Sequence, residues 1–386
     1  MYSIADYGAM IADRVRTGAF VRSLRQAVTP QSVVADIGTG TGIFAIIASR
    51  FGARRVYAIE PSDAIQVARE IAAANGLSDR IEFIQAMSTD IELPERADVI
   101  VSDIGGTLPW FQRHIPAIVD ARERLLAPGG TLIPEQDIAW IAVGDVPHVY
   151  KRQTAPWRDN EFGLDMEAAH RLVVNTFTRG RITPEELLTK PLRWATLDYA
   201  TVTDANVRAT VRAPVARRGT GYGLIAGFDR TILDSERLSN APDADSSVKP
   251  QSIYGTVFFP WPSPVVLEEG DVVDLELDAR LIGDDYIWTW KTMVNDHQTS
   301  KAVKASFSQS TFFGAPLSPA RLHKRAASYV PALSPRGEMA RVVLDSMSRG
   351  WAVGEIASRV SAEFSSLFPR PEDALAYVAD LSQEFG

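Results

Sequence analysis

The stretch VVADIGTGTG, from Val33 to Gly42, decides the fold of this 386-residue chain. A short apolar run ends in Asp36, alternating glycines follow, and Ile43 to Arg50 has the apolar pattern of a helix. This order predicts a strand, a tight turn and a helix. Because glycine has no side chain, the turn lets a ligand approach the backbone, and the start of the helix offers free N–H groups.

A second apolar stretch, from Val56 to Ile59, predicts another strand and ends in Glu60. An acidic residue at this position can accept hydrogen bonds from the hydroxyls of a ribose. Asp36, the glycine turn and Glu60 together predict a site for a nucleoside-type cofactor. The alternative is a Rossmann domain that binds NAD or no ligand, although NAD-binding turns usually have the spacing G-x-G-x-x-G.

Strands and helices alternate up to about residue 133. Further strands are predicted at 81–84, 99–102 and 131–133, and further helices at 64–75 and 115–126. The alternation predicts an α/β fold with a doubly wound parallel sheet, in which ligands bind at the carboxyl ends of the strands. Four polar residues fall at those ends and predict a single site: Asp36, Glu60, Ser88 and Asp103.

From about residue 143 the helical patterns give way to stretches rich in β-branched and aromatic residues. Such stretches predict an antiparallel β domain. They lie at 192–203, 207–213, 222–233, 253–259, 265–280 and 286–295.

The composition excludes several classes of protein. The net charge of −8 and the pI of about 5.3 argue against a broad nucleic-acid-binding surface. The chain has no cysteine and five scattered histidines, so we expect neither a disulfide nor a metal site. No apolar run reaches the roughly 18 residues of a membrane span, and the N-terminus lacks the pattern of a signal peptide. We therefore expect a cytoplasmic protein without a membrane or nucleic-acid partner.

The spacing D-x-G-x-G-x-G from Asp36 to Gly42 resembles motif I of class I S-adenosyl-L-methionine (SAM) methyltransferases. The stretch YSIADYGAMIADRVRTGAF near the N-terminus resembles the helix that lies over SAM in protein arginine methyltransferases. The resemblance implies that the cofactor is SAM and that the product is S-adenosyl-L-homocysteine. It also implies the cofactor-binding residues Met10, Arg16, Asp36, Gly38, Gly40, Glu60, Met87 and Ser88.

Each of these residues has an implied role. In that family the glycine turn lies against the amino-acid part of SAM, and the acid at the position of Glu60 holds the ribose. By the same resemblance Arg16 pairs with the methionine carboxylate, Met10 lies near the sulfonium, and Met87 and Ser88 contact adenine. The alternative for Arg16 is a solvated side chain on an ordinary amphipathic helix.

The resemblance to arginine methyltransferases covers roughly residues 2–295. The segment from Trp157 to Met166 resembles their helical arm, which links two subunits, so a homodimer is implied. The predicted organisation begins with a SAM-binding Rossmann-like domain with N-terminal helices at 1–142. A β-barrel substrate domain follows at 143–300 and includes a dimerisation arm at about 150–190. A linker at 301–335 then leads to a C-terminal domain at 336–386.

The chain departs from the family in the acceptor loop SDIGGTLPWFQRHI. The family holds a substrate guanidinium between two glutamates, whereas this chain has Asp103 and Gln112 at those positions. One shortened acid and one amide are weaker partners for a guanidinium. The Thr-His-Trp motif of the family is also missing, and the corresponding stretch is Gln251-Ser252-Ile253, before Tyr254. We therefore expect the fold to be retained and the arginine pocket to be lost.

The same loop supplies candidate substrate contacts. Asp103 and Gln112 are the predicted catalytic residues, with Asp103 orienting an amine and stabilising the positive charge that develops on nitrogen. Trp110 and Phe111 can offer ring faces to a methylated ammonium, although core packing is an equal alternative. Together with Tyr254, they are the predicted substrate-binding residues.

The C-terminal domain carries three apolar stripes at helical spacing, beginning at Met339, Val353 and Ala374. The stretches GEMARVVLD and WAVGEIASRV resemble PqqD-like domains, which are small winged-helix modules that bind leader peptides through an edge strand. The alternative is a small helical cap without a partner.

These features predict a SAM-dependent N-methyltransferase that acts on a peptide. The predicted acceptor is the α-amine of a ribosomally synthesised modified peptide, as in daptide-type pathways, with its leader bound by the C-terminal domain. The alternatives are a protein arginine N-methyltransferase, a small-molecule natural-product methyltransferase, and a non-catalytic scaffold.

Overall fold

A computed structural model describes residues 2–242, 253–297 and 302–386, and the chain divides into two compact units, Met1–Pro316 and Leu317–Gly386. The helices are α1 Ile4–Ala12, α2 Arg14–Ala27, α3 Ile43–Arg50, α4 Ala64–Ala74, α5 His114–Asp120, α6 Pro147–Arg158, α7 Glu167–Val173, α8 Pro319–Lys324, α9 Pro335–Ser348, α10 Val353–Glu363 and α11 Pro371–Phe385. The strands are β1 Val33–Ile37, β2 Arg55–Ile59, β3 Ile81–Ile84, β4 Ala97–Ser102, β5 Leu126–Ile133, β6 Gln136–Gly144, β7 Thr178–Gly180, β8 Leu192–Asp198, β9 Val207–Pro214, β10 Gly219–Leu233, β11 Glu236–Ser239, β12 Thr256–Leu267, β13 Val272–Ile282, β14 Asp285–Asn295 and β15 Val303–Ser310.

The first unit begins with the predicted parallel sheet, whose strand order is β3-β2-β1-β4-β5. Strand β1 is buried along its whole length, which explains its uninterrupted apolar run. The helix predicted at 115–126 is shorter than expected, because α5 ends at Asp120 and a π-helical turn, Ala121–Leu125, leads into β5.

The second part of this unit consists of two antiparallel sheets. One has the order β7-β12-β10-β6-β8, with β11 paired to β10, and the other has the order β15-β14-β13-β9. An isolated bridge between Thr189 and Val215 connects their edges near β8 and β9. The predicted antiparallel β domain is confirmed, whereas the closure of its sheets into a β-barrel stays a prediction. Alternating burial does not distinguish a barrel from two packed sheets, because both bury every second residue of a strand.

Two predicted domain boundaries are also corrected. Strand β6 begins at Gln136 and pairs with β10, so the antiparallel part starts before residue 143. Strand β15 pairs with β14, so the predicted linker at 301–335 starts too early. One apolar core continues from the parallel sheet into the antiparallel sheets, and it includes Ile100, Ile115 and Trp288.

The second unit, Leu317–Gly386, contains the three predicted helical stripes as α9, α10 and α11. Their core is formed by Val342, Val343, Ile356, Ala357, Val360 and Val378. Residues 317–386 are all described, and they contain helices but no strand. The winged-helix prediction, with an edge strand for peptide capture, is therefore wrong. The apolar residues of this segment recur every three or four positions, and that spacing buries a helix face rather than a strand face.

A search of the described residues finds no helix with the length and apolarity needed to cross a membrane.

Candidate active site

The glycine turn between β1 and α3 has backbone conformations that favour glycine. Gly38 has a φ of +72° and Gly40 has a φ of +53°. A Cβ atom on Gly38 would lie 2.2 Å from Ile104 Cγ2, and one on Gly40 would lie 2.4 Å from Tyr7 Cε1. The turn therefore needs glycine both for its conformation and for the side chains packed against it.

Asp36 lies beneath this turn. Its Oδ2 atom accepts hydrogen bonds from Thr39 Oγ1 at 2.5 Å and from the Ala45 backbone N–H at 2.9 Å. Burial raises the pKa of Asp36 to about 7, although these two hydrogen bonds favour its ionised form. Asp36 thus fixes the turn to the start of α3. Its predicted role as a direct cofactor contact stays a prediction, because the donors of its two side-chain hydrogen bonds lie in the turn and in α3.

Glu60 follows β2 and faces the glycine turn. Its Oε2 atom accepts the Gly40 N–H at 3.0 Å, and its Oε1 atom accepts the Ser62 N–H at 3.0 Å. A carboxylate offers about four lone-pair positions, so each oxygen can accept one further hydrogen bond. Glu60 is buried, with both oxygens held in place by the backbone. This geometry fits the diol of a ribose.

Helix α1 lies over the turn through Tyr7, a residue that the sequence interpretation missed. Burial raises the pKa of the Tyr7 hydroxyl, and the nearby Glu60 carboxylate adds to this shift. The Met10 carbonyl, at the end of α1, accepts hydrogen bonds from Arg16 Nη1 at 3.3 Å and from Thr17 Oγ1 at 3.1 Å. The helix buries none of its own residues completely. No sequence pattern predicts that α1 comes this close to Gly40.

The predicted adenine contacts lie after β3. The Met87 side chain is 43% exposed, whereas Ser88 is buried. The Ser88 carbonyl accepts a hydrogen bond from Arg124 Nη2 at 3.0 Å, and the same guanidinium bonds the Ile91 carbonyl at 2.8 Å. Arg124 therefore holds this loop, a role that the sequence interpretation also missed.

Asp103 follows β4 and meets three donor groups of the same chain. Its Oδ2 atom accepts from Arg16 Nε at 2.7 Å and from the Tyr254 hydroxyl at 2.6 Å, and Arg16 Nη2 lies 2.6 Å away. Its Oδ1 atom accepts from Arg230 Nη1 at 2.8 Å. Arg16 thus pairs with Asp103 in this structure. Its predicted pairing with the cofactor carboxylate, like the predicted contact between Asp103 and an acceptor, stays a prediction.

Two opposing effects set the ionisation of Asp103. Burial raises the pKa of its carboxyl, but the guanidinium groups of Arg16 and Arg230 and the hydroxyl of Tyr254 outweigh that effect. The net pKa lies below the ordinary value, so Asp103 is ionised at neutral pH. A carboxylate with this environment stabilises positive charge and is a poor proton acceptor.

Arg230 joins Asp103 to a second buried acid. Its Nε and Nη2 atoms bond Asp137 Oδ1 at 2.7 Å and Asp137 Oδ2 at 2.8 Å, and the Tyr199 hydroxyl donates to Asp137 Oδ2 at 2.5 Å. Arg230 is 1% exposed. Sequence reasoning missed this residue, although a signal exists. Arg230 stands near the carboxyl end of the mostly apolar β10 stretch, where an inward-facing charge needs a partner.

The remaining predicted substrate residues of the acceptor loop differ in how deeply their side chains are buried. Trp110 is 4% exposed and packs against Trp194, with ring centroids 4.9 Å apart, and against Trp288 at 6.2 Å. The side chain is therefore part of the core, as the core-packing alternative predicts, and its ring contact with a substrate stays a prediction. Phe111 is half-buried, and Gln112 is exposed with a φ of +44°.

Tyr254 does reach the site, through its hydrogen bond to Asp103. Of the stretch expected in place of the Thr-His-Trp motif, Gln251 and Ser252 lie outside the described residues. The Ile253 N–H donates to Asp13 Oδ2 at 2.9 Å, and Asp13 also caps α2. This segment is thereby tied to the junction of α1 and α2.

The two halves of the site are adjacent because β1 and β4 pair in parallel, with Ile37 opposite Ser102. Gly38 and Asp103 are the next residues along these strands, and they lie at the same sheet edge. One half can hold a nucleoside, and the other carries ionised groups suited to a developing charge. This arrangement fits group transfer from a nucleoside cofactor to a nearby acceptor.

Comparisons with known proteins show which families this chain is similar to. The family model of the ribosomal protein L11 methyltransferase (PrmA) matches residues 16–134. Protein arginine N-methyltransferase 6 of Xenopus tropicalis is 30% identical over 285 residues, which cover 71% of this chain and 81% of that protein. The probable protein arginine N-methyltransferase 6 of Arabidopsis thaliana is 36% identical over 165 residues. This match covers 42% of the present chain and only 38% of the length of the Arabidopsis protein.

A solved structure has the same fold over most of the chain. The Trypanosoma brucei PRMT1 enzyme-prozyme heterotetrameric complex with AdoHcy superposes with a TM-score of 0.70 at 20% identity. The match covers 79% of this chain and 96% of that chain.

Proposed function

This chain belongs to the protein arginine N-methyltransferase family, and from that premise we propose that it transfers a methyl group from SAM to a nitrogen of a protein or peptide. The observation that carries the proposal is the fixed geometry of Glu60 beside the glycine turn. Its two oxygens are oriented by the Gly40 and Ser62 N–H groups and retain lone pairs for a ribose.

The residues of the first unit fit SAM. When bound, SAM supplies an electrophilic methyl group on a positively charged sulfur. Glu60 would hold the ribose, the backbone at Gly38 and Gly40 would lie against the amino-acid part, and Met87 and Ser88 would border the adenine. Helix α1 would exclude water from the reacting groups, and most of the rate would come from positioning.

The acceptor nitrogen attacks only through a lone pair, so an amine must lose its proton first. Asp103 stays ionised and would stabilise the positive charge that forms on nitrogen. The names of the relatives favour the side chain of a protein arginine as the acceptor.

A second acceptor is favoured by the site itself. Gln112 is uncharged and exposed, and Asp103 is already bonded to Arg16 and Arg230. These features favour an acceptor that needs no pair of carboxylates, such as the α-amine of a ribosomally synthesised modified peptide.

The experiment compares two peptides of otherwise identical sequence. One has an acetylated N-terminus and a single arginine, and the other has a free N-terminus and glutamine in place of arginine. Each is incubated with the full chain and SAM, and intact mass spectrometry measures the added methyl groups. Transfer to one peptide alone identifies the acceptor. If SAM binds in calorimetry and neither these peptides nor generic basic proteins gain a methyl group, the proposed function is refuted.

We also propose that residues 317–386 recruit the peptide by its leader. The support is a set of exposed apolar side chains on α11 and on the connections between the helices, in a unit whose own core is already formed: Trp351, Leu367, Leu375 and Phe385. A leader held by the same chain would raise the effective concentration of the acceptor to around the millimolar range.

In the full chain, Trp351→Ser should raise KM for a leader-bearing peptide but not for a leaderless one. The control is Phe312→Ser in the first unit, and an unchanged KM for Trp351→Ser would contradict leader binding at this surface.

A homodimer is proposed for the first unit. Trp157 is exposed in the last turn of α6, and Phe162 and Leu164 are exposed on the segment that joins α6 to α7. Covering these side chains with a second copy would remove apolar surface from water. Sedimentation analysis should give a dimer for the parent chain and a monomer for Phe162→Asp, whereas a monomeric parent would contradict the proposal.

A further inference from the structure

Arg230 places a guanidinium of the chain itself in the acceptor half of the site. The Arg230 side chain projects from near the carboxyl end of β10. One of its nitrogens lies 2.8 Å from Asp103, and the two others bond Asp137. The guanidinium carbon also lies 4.7 Å from the centre of the Phe228 ring and 5.5 Å from that of Tyr254. These contacts form a complete guanidinium-binding site, with two carboxylates and two aromatic rings.

The charges of this cluster balance without a substrate. Asp103 and Asp137 contribute two negative charges, and Arg16 and Arg230 contribute two positive charges. A substrate guanidinium would add an unpaired positive charge to a buried group of side chains, next to a cofactor whose sulfur is itself positive. Burying an unpaired charge is strongly unfavourable.

Three other carboxylates near this edge of the sheet hold the backbone in place. Asp36 and Glu60 fix the glycine turn, and Asp13 caps α2 and holds the Ile253 N–H. Of these four carboxylates, Asp103 is therefore the one that faces the acceptor half, and Arg230 already occupies its Oδ1 atom.

We propose that Arg230 is the specificity-determining residue of the acceptor site: it fills the guanidinium position at Asp103, excludes a substrate arginine, and leaves a neutral amine as the acceptor. This inference rests on the proposed function and selects between its two acceptors. In the reaction, the amine lone pair forms the new N–C bond, and the C–S bond breaks with its electron pair staying on sulfur. The positive charge passes from sulfur to nitrogen, and the ammonium then releases its proton to solvent, so the charge in the site does not rise during transfer.

The first test measures selectivity in the full chain. Arg230→Gln combined with Asp137→Asn removes one charge of each sign and keeps polar side chains at both positions. We expect the parent to methylate the free-amine peptide in preference to the arginine peptide. In the double variant, the ratio of kcat/KM for arginine to that for amine should rise about 10- to 100-fold, because Asp103 regains a free position for a charge-assisted hydrogen bond. Arg230→Lys keeps the positive charge and should retain the preference of the parent.

A parent that prefers the arginine peptide would overturn the inference. An unchanged ratio in a folded double variant with parental SAM affinity would overturn it as well.

The second test does not depend on catalysis. Methylguanidinium and methylammonium are titrated separately into the parent and into Arg230→Ala combined with Asp137→Asn, and melting temperature and heat of binding are recorded. Methylguanidinium should bind the variant and stabilise it, while the parent should show no shift. Saturable binding of methylguanidinium to the parent would overturn the inference even if no variant folds. If the parent binds SAM but methylates neither the peptides nor a generic basic protein, the proposed function fails, and this titration still decides whether Arg230 fills the guanidinium position.

Discussion

Replacement of Glu60 by glutamine is the sharpest test of the cofactor site. The carboxylate accepts two backbone N–H groups at 3.0 Å each, and in the proposed complex it also accepts two ribose hydroxyls. An amide of the same size keeps one acceptor oxygen, whereas its NH₂ group can only donate. One backbone donor and one ribose hydroxyl then lose their acceptor.

The magnitude follows from the strength of the lost bonds. A hydrogen bond to a charged group contributes roughly 1.5–3 kcal/mol, so one lost ribose contact should weaken SAM binding about 10- to 150-fold. Loss of the acceptor for the buried Gly40 N–H should also lower the free energy of unfolding by about 1–3 kcal/mol.

Isothermal titration of SAM into the full chain measures the first effect, and urea unfolding measures the second. Glu70→Gln is the matched control, because Glu70 is exposed on α4 and should change neither quantity by a measurable amount. An unchanged SAM affinity in folded Glu60→Gln would refute the ribose role and the position of the cofactor.

Three further predictions concern the turn and the core. Gly40→Ala should displace Tyr7 and loosen α1, because the new Cβ would lie 2.4 Å from the Tyr7 ring at a φ of +53°; hydrogen exchange of α1 amides should accelerate, and unchanged protection would contradict the packing. Trp110→Ala should lower the unfolding free energy by about 3–5 kcal/mol in urea titrations and leave the SAM affinity of the folded protein unchanged; undiminished stability would argue against its core position. Because the folded-state pKa of Asp36 is raised to about 7, its contribution to stability should fall as pH rises from about 4 to 7, by about 1.4 kcal/mol per pKa unit. The free energy of unfolding of Asp36→Asn should not show this decrease with pH. If the free energies of unfolding of parent and variant change with pH in parallel, the raised pKa of Asp36 is contradicted.

The local sequence determined the cofactor half of the site. The apolar run, the alternating glycines and the following helix pattern from Val33 to Arg50 specify strand, turn and helix through short-range sterics and periodicity. The same rules place Glu60 at the end of the neighbouring strand, where it bonds Gly40. They also identified the three helical stripes of the C-terminal unit, because burial of one helix face leaves a period of three to four residues.

The tertiary structure alone decided the acceptor half. Arg230 and Asp103 are 127 positions apart, and they meet because the fold brings the last residues of β10 close to the residue that follows β4. A sequence pattern records that a side chain faces inward, but not which partner it finds there. Trp110 illustrates the same limit, since an aromatic residue in an active-site loop and one in a core have the same local pattern. The pairing of buried charges depends on which strands lie side by side, and that arrangement is set by the packing of the whole unit.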